Sequence, residues 1–562
     1  MSHIIPDKML AWPLFGAGME NLGKNNSPCT VKVPDIGDDE LLVRIDSIGL
    51  CFSDVKLIRA GKDHPRVVSP DLATQPVIPG HEAVMTIVRT GNKVADKFKV
   101  GQRFIIQADI YIKGKGFAYG YAIDGGMAEY SRIDQRVLNG DEGCYLLPLA
   151  DSVPAGIAAL VEPWTCVIAS YMIDNRQTPQ KGGSVLIASG EGDKNTYAPG
   201  NLLIDSNPSK ISILNLNRQS IDLIKKEIPA AKMEILKSIP EKETFDDIFL
   251  CELRKADAEK IAKLANRNAV ISFIGDYPDE AWAFDVGGIH YNGWFYQGSK
   301  TNVLSDAYGR NVRSKLRKGG SCWLVGGAGA MGQMHTQLAV ESAEGPSRIL
   351  MTDMDDTRIK HVCELLGDKI RERKIEFKTL NPKAFPTVAA FEAEVAKFAE
   401  KDGGFDDIVM LVPVIPVVNS SAPFLKLDGL MNIFAGIPAG KEGLLNVRKI
   451  AEAGARYIGS SGSLTAHLRH TLQLVEDGKL NPATALAAVG GMQDLKKGIE
   501  AVADAKFPGK TVIFPHCDFP ITPLEKISEL SPELVKTLSK DGSYTMETEK
   551  ALFKLFGKCG AV

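Results

Sequence analysis

The chain has 562 residues, too many for one hydrophobic core and enough for three or four packed units at roughly 150 residues each. Its 66 Lys and Arg against 69 Asp and Glu give a net charge of −3, which argues against a strongly basic nucleic-acid binder and against an acidic tail protein. With 44% hydrophobic and 24% charged residues the composition is ordinary for a globular protein, and long disordered stretches are not expected.

The N-terminal MSHIIPDKMLAWPLFGAG carries Asp7 and Lys8 inside its apolar stretch, which makes a weak signal peptide. No apolar run reaches the roughly 18 residues of a membrane span, so none is expected. The nine cysteines, Cys29, Cys51, Cys144, Cys166, Cys251, Cys322, Cys363, Cys517 and Cys559, are odd in number, dispersed and without a CxxC pair. That is a poor disulfide framework and suits a reducing compartment; the cytoplasm is the expected location.

In chain order, residues 30–150 read as short β segments punctuated by Gly, Pro and Asp. Examples are LLVRIDSIGL (41–50), AVMTIVRTG (83–91) and QRFIIQADIYI (102–112), and the pattern predicts a small β-barrel or sandwich. A helix-compatible stretch follows at 153–173. After about residue 178 strand-like apolar runs alternate with helical stretches, the signature of βαβ units and a parallel sheet.

The α/β pattern then restarts. Lys181-Gly182-Gly183-Ser184 has a counterpart in Lys318-Gly319-Gly320-Ser321, PSKISILNLN (208–217) in PSRILMTDMD (346–355), FDDIFL (245–250) in FDDIVM (405–410), and Gly298-Ser299 in Gly459-Ser460. The offsets run 137, 138, 160 and 161, and the jump is one extra helix around AAFEAEVAKFAE (389–400). Four pairs in one order predict two tandem copies of one α/β domain. The last stretch, 464–562, reads as a helix, a strand (TVIFP, 511–515) and a charged helical tail, with no residue singled out as catalytic.

In the second copy the strand SCWLVGG (321–327) runs into Gly327-Ala328-Gly329-Ala330-Met331-Gly332, then a helix, then the strand RILMTD (348–353). Gly327 would allow the tight turn, Gly329 the approach of a pyrophosphate, and Gly332 close helix–strand packing. The helix N-terminus would offer free N–H groups to the phosphates. Asp353, 21 residues after Gly332, stands where a carboxylate accepts both ribose hydroxyls of NAD and repels a 2′-phosphate. The ordered context makes this a strong dinucleotide signal. In the first copy the loop reads Ser189-Gly190-Glu191-Gly192-Asp193-Lys194-Asn195, with no third glycine at that spacing and Asn215 in the acid's place. Its carboxylates would repel a pyrophosphate, so it reads as a degenerate repeat; a different anion or an altered nucleotide there stays open.

Cys51, in Gly49-Leu50-Cys51-Phe52-Ser53-Asp54, follows a strand; Pro79-Gly80-His81-Glu82 lies 30 residues on, and Leu160-Val161-Glu162-Pro163 falls in the later helical stretch. Thiolate, imidazole and carboxylate suit a catalytic zinc that keeps a position open. Cys51, Gly80-His81-Glu82 and Glu162 followed by a dinucleotide fold resemble the zinc-dependent medium-chain dehydrogenase/reductase family, with the polyol dehydrogenase branch nearest because an acid follows the histidine. Further stretches resemble the sorbose-phosphate reductases of that branch: Gly101-Gln102-Arg103-Phe104, Ala159-Leu160-Val161-Glu162-Pro163, FDDI, Asn432-Ile433-Phe434-Ala435-Gly436 and Ile458-Gly459-Ser460-Ser461-Gly462-Ser463. The resemblance covers about 1–178 and 313–562, so the first α/β copy looks like an insertion.

The resemblance implies a GroES-like β-barrel catalytic domain at 1–178, completed by 464–562, and a Rossmann-like doubly wound sheet at 313–463, and the internal repeat adds a second, degenerate Rossmann-like sheet at 179–312. It makes Cys51, His81 and Glu82 zinc ligands and Glu162 a fourth ligand or the holder of the metal-bound water. Ser53 matches the hydroxyl that relays the substrate proton, and Asp54 the acid behind the ligands. The segment 109–126, where many members carry four cysteines for a structural zinc, has none, so one metal is expected. The implied activity is hydride transfer between NAD(H) and a polyol or ketose, or its phosphate ester, with zinc as Lewis acid. A zinc-free nucleotide-binding or interaction scaffold of the same fold is the alternative. Four cations in residues 56–66 are either a solvated face or, through Lys56 and Arg66, a phosphate-holding group. A homo-oligomer is expected, without nucleic acid or membrane as partner.

Overall fold

The computed structural model describes residues 5–229, 232–309 and 313–558. Cys559 lies outside the described residues, and the boundary expected at 312/313 abuts 310–312, which lie outside them too. The chain divides into two compact units, Met1–Ala169 with Gly462–Val562, and Ser170–Ser461. Among the described residues no helix is long and apolar enough to cross a membrane.

The first unit is built on an eight-stranded sheet. Its path runs Thr522–Pro523, Leu486–Gly491, Lys510–Phe514, Leu41–Leu50, Glu82–Thr90, Arg103–Ile106 and Leu146–Pro148, and Tyr130–Ile133 also pairs with Leu41–Leu50. The strand Leu41–Leu50 is central and buried along nearly all its length, which is why its sequence lacks clean alternation. The run expected at 102–112 splits into Arg103–Ile106 and Tyr111–Ile112. The helix expected at 153–173 also splits, into Ala155–Ala158 and Val161–Ala169. Pro163 explains the break: in a continuous helix its ring would collide with the Ala159 carbonyl, whereas in a first turn its missing N–H is not needed. The C-terminal stretch returns to this unit, and its strand Leu486–Gly491 and helix Leu495–Ala503 are additions to the sequence reading.

The second unit holds two six-stranded parallel sheets. The strands of the first copy are β1 (Ser184–Ser189), β2 (Lys210–Leu214), β3 (Met233–Leu236), β4 (Phe245–Cys251), β5 (Ala265–Ile274), β6 (Ala281–Asp285) and β7 (Phe295–Ser299). Those of the second are β8 (Ser321–Val325), β9 (Arg348–Thr352), β10 (Glu376–Leu380), β11 (Phe405–Met410), β12 (Leu425–Ile433), β13 (Glu442–Asn446) and β14 (Arg456–Ile458). The orders are β3-β2-β1-β4-β5-β7 and β10-β9-β8-β11-β12-β14, the doubly wound arrangement repeated strand for strand. The extra helix of the second copy is Val388–Glu400.

The repeated FDD motif proves structural. Asp246 accepts from the Ser184 N–H at 2.8 Å and Asp406 from the Ser321 N–H at 2.9 Å, tying β4 to β1 and β11 to β8. The next aspartates are buried against an arginine from the chain entering each copy: Arg176 on Asp247 at 2.9 Å, and Arg313 on Asp407. The second guanidinium nitrogen donates to the carbonyl of Asp246 or Asp406, so the same clamp closes both copies.

Candidate active site

Cys51 directly follows the central strand Leu41–Leu50 and stands at the N-terminus of the helix Phe52–Ala60. Glu82 opens the neighbouring strand, with His81 just before it, and the register sets Glu82 opposite Gly49. A Cβ at position 49 would lie 2.2 Å from Glu82 Oε2, so only glycine leaves room for that carboxylate. Gly80 adopts φ +98°, a left-handed conformation that turns the chain just before His81.

The result is a convergence of Cys51, His81 and Glu82, whose candidate ligand atoms all lie within 4.8 Å of one another. Glu162 does not join that group. It stands in the first turn of the helix Val161–Ala169, and the Cys166 thiol one turn on lies 3.7 Å from its Oε1. Burial, opposed by His81 and reinforced by Glu82 and Asp109, pushes the Glu162 carboxyl up to about 7.

The surrounding hydrogen bonds fix orientation. Asp54, fully buried, lies 3.1 Å from His81 Nδ1 through Oδ1 and accepts from the Cys51 N–H at 3.0 Å through Oδ2. With Nδ1 held by a carboxylate, His81 Nε2 is the nitrogen left for a ligand role. Ser53 Oγ sits between the pair, 2.9 Å from Cys51 Sγ and 3.3 Å from His81 Nε2. Burial opposes charge on His81, but Asp54 outweighs it and holds the imidazole well above its ordinary range.

Lys510 is a residue of the candidate site that the sequence reading missed. Its Nζ donates to Glu82 Oε1 at 2.6 Å, with both side chains buried. Burial would lower its pKa, yet the Glu82 and Cys51 charges raise it, so the ammonium stays charged. Glu82 Oε2, in contrast, is buried without a hydrogen-bond partner. A buried unpaired carboxylate oxygen beside a thiol and an imidazole is what a bound divalent cation would satisfy. No spacing signal could have found Lys510, which stands 428 residues from Glu82.

The basic segment is less bare than its sequence suggests. Lys56 is exposed, its Nζ 6.0 Å from the Phe52 ring centre. Arg66 pairs with Asp109 and lies 5.6 Å from the centre of the Tyr121 ring, which in turn lies 5.8 Å from the His81 ring. His64 packs 5.1 Å from the same Tyr121 ring. Burial first, then Arg66 and Lys56, push the His64 imidazole down to about 4, so these three basic side chains share one neighbourhood. Asp109 and Tyr121 stand in a segment whose sequence advertised only missing cysteines.

In the second unit the glycine loop joins β8 to the helix Ala330–Glu341, with Gly329 at the helix N-cap. The left-handed turn falls on Gly326 (φ +84°) rather than on Gly327, the residue expected to make it. Gly327 is required for a different reason: a Cβ there would meet Met351 Cγ at 2.7 Å. A Cβ on Gly332 would meet the Gly326 carbonyl oxygen at 2.1 Å, whereas Gly329 has only that oxygen near, at 3.7 Å. Asp353 follows β9 and accepts from the Ala328 N–H at 3.2 Å, so the acid and the loop meet.

The first copy is built differently. No helix follows its loop until the short Leu202–Ser206. Asn195 Nδ2 donates to Glu252 at 2.7 Å, and the Tyr197 hydroxyl to Asp193 at 2.7 Å, so the loop's own side chains pair with each other and with β4's end. It offers no long helix N-terminus and presents carboxylates instead.

Residues 37–139 match the alcohol dehydrogenase GroES-like domain. The chain is 23% identical to mannitol-1-phosphate 5-dehydrogenase of Aliivibrio fischeri over 538 residues, covering 94% of each chain. It is 24% identical to L-sorbose 1-phosphate reductase of Klebsiella pneumoniae over 532 residues, covering 93% of each. Among solved structures, 2R,3R-butanediol dehydrogenase from Bacillus subtilis superimposes with a TM-score of 0.50 at 14% identity, over 90% of this chain and 99% of that one.

Proposed function

We propose that this chain, whose residues 37–139 form an alcohol dehydrogenase GroES-like domain, is a zinc-dependent oxidoreductase acting with NAD(H) on a polyol or ketose, and on its phosphate ester in particular. The observation that carries the reading is the convergence of Cys51, His81 and Glu82 around an unpaired buried carboxylate oxygen. Zinc held there would polarise the substrate's C–O bond, and bound NAD(H) would supply the hydride chemistry.

The chain's own residues do the rest. Asp54 holds His81 Nδ1 and so aims Nε2 at the metal position. Lys510 holds one oxygen of Glu82 and leaves the other to the metal. Ser53 Oγ, within hydrogen-bond reach of both Cys51 and His81, is the hydroxyl that accepts and passes on the substrate's proton. Glu162, with a pKa near neutrality, holds a proton or a water beside the metal. Gly327, Gly329, Gly332 and the helix after them receive the pyrophosphate, and Asp353 receives the adenosine ribose, favouring NAD over NADP. Lys56 and Arg66, with His64, meet the substrate phosphate; Arg66 exchanges Asp109 for it. Two of the relatives that align along more than nine-tenths of the chain carry a polyol or ketose phosphate in their names, which favours this ester over the free polyol. The eight described cysteines are all free, which supports the reducing cytoplasm as its location.

Metal analysis of the purified protein should give about one zinc per chain, one for each such ligand set. A panel of free and phosphorylated polyols and ketoses, followed by NADH absorbance, should show turnover that Cys51→Ala abolishes together with the zinc. Zinc-free protein with full turnover would end the metal reading. Equal rates on free and phosphorylated substrates would end the phosphate reading.

A further inference from the structure

The strands β6 and β13, which stand outside the two parallel sheets, pair with each other in antiparallel register. Ala283 pairs with Leu444, and these two residues are 161 apart, the repeat offset of this part of the chain. Each strand therefore pairs with its own repeat image about a point between Ala283 and Leu444. That is the signature of a two-fold, isologous contact, in which one surface patch meets a second copy of itself.

The contacts around that point come in matched pairs at the same offset. The Val286 N–H donates to the Lys441 carbonyl at 3.0 Å, and its image, the Val447 N–H, donates to the Glu280 carbonyl at 3.1 Å. Asp285 accepts from the Gly440 N–H at 2.7 Å, and its image Asn446 donates to Asp279 at 2.7 Å. A Cβ on Gly298 would lie 2.8 Å from Ala451 Cα, and one on its image Gly459 would lie 3.1 Å from His290 Cα. Glycine is thus required at both positions for the same close approach. The two copies share one hydrophobic core, with Phe273, Phe284 and Tyr296 from the first beside Met431, Leu445, Val447 and Tyr457 from the second.

We propose that the first α/β copy is a built-in dimer partner for the nucleotide-loop copy. It occupies, within one chain, the self-complementary surface through which two such domains would otherwise join two chains. Three observations favour this over a scaffold of no defined role: the symmetric pairing, the shared core and the loss of a usable nucleotide loop in the first copy alone. A domain kept for its interface retains β6, Val286, Asp285 and Gly298 while its ligand loop drifts. The homo-oligomer expected from the sequence is then met inside a single chain, and the protein is a monomer.

Sedimentation equilibrium of the full chain should give the mass of one chain, 60.8 kDa. Cysteines at the two central positions distinguish pairing within a chain from pairing between chains. Opposed residues of an antiparallel pair have Cα atoms about 4.5–5.5 Å apart, inside the span a disulfide bridges. Oxidised Ala283→Cys/Leu444→Cys should migrate as a monomer, with a 283–444 linked peptide by mass spectrometry and two fewer free thiols than the reduced form. Leu444→Cys alone should stay monomeric under the same oxidation. Covalent dimers from the single variant, absence of the 283–444 link in the folded double variant, or a wild-type mass of two chains would each overturn the proposal.

Discussion

Single residues carry much of the candidate site, and Lys510 is the sharpest case. Its ammonium pairs with the buried Glu82 carboxylate, so its loss strands Glu82 as an uncompensated charge, which costs about 3–5 kcal/mol in such settings. Removing the cation also strengthens the carboxylate's pull on a metal, but lets its oxygens turn out of place. Orientation effects of this kind cost about 10–100-fold in metal affinity, and they outweigh the gain. Lys510→Met should therefore release zinc to a chelator more readily than wild type, and Lys510→Arg should recover most of the loss. Unchanged zinc retention in Lys510→Met would show that Glu82 needs no such anchor. At His516 the sign of a pH effect can be worked out. Burial pushes its imidazole down to about 4 from an unfolded value near 6.5, while Nε2 lies 3.0 Å from the Glu129 carbonyl. Between those values the unfolded chain binds the proton and the folded chain does not, so this group subtracts stability as pH falls below about 6.5. At pH 5 the difference is about 1.5 units, or about 2 kcal/mol. His516→Gln keeps a donor for the carbonyl and should lose about 2 kcal/mol less than wild type between pH 7 and pH 5 in urea unfolding. Parallel pH profiles would refute it.

At the scale of elements, the glycine loop separates folding from binding. Gly332 packs helix on strand, and alanine there would drive a Cβ against the Gly326 carbonyl, so Gly332→Ala should lower the melting temperature. Gly329 has space around it, and alanine there should fold normally yet bind NADH at least tenfold more weakly, since the methyl group enters the pyrophosphate's path. Equal NADH affinity in folded Gly329→Ala would move the nucleotide elsewhere. The loop was legible because strand, glycines, helix and acid are local in sequence. So was the repeat: KGGS and FDD recur because each copy needs the same turn and the same aspartate clamps. Other features were not legible. The positive φ sits on Gly326 because geometry, not the motif's lettering, decides which glycine turns. The strand Leu486–Gly491 is rich in Ala and Gly and carries little periodic signal of its own. Cys51, His81 and Glu82 were readable as types in a known pattern, but their convergence depends on Glu82 pairing opposite Gly49, and the Lys510 anchor on a strand hundreds of residues away.

At the scale of the whole chain, stability does not follow the sequence repeat. The two α/β copies each have their own sheet, yet one hydrophobic core runs through both and includes the aromatic cluster of Phe273, Phe284 and Tyr296. Phe284 is almost completely buried and belongs to β6, far in sequence from the nucleotide loop. If the copies were independent, truncating it would weaken only the first. Because the core is shared, Phe284→Ala should destabilise the second copy as well, by about 3–5 kcal/mol for a buried phenylalanine whose cavity does not collapse. Ligand linkage makes this measurable: the calorimetric transition that NADH raises is the one that includes the nucleotide loop. Phe284→Ala should shift that transition downward by several degrees while leaving NADH affinity at 25 °C near wild type, since no Phe284 atom belongs to the loop. An NADH-responsive transition that stays in place, with a second transition moving alone, would mean that the two copies fold as separate domains and share only a contact.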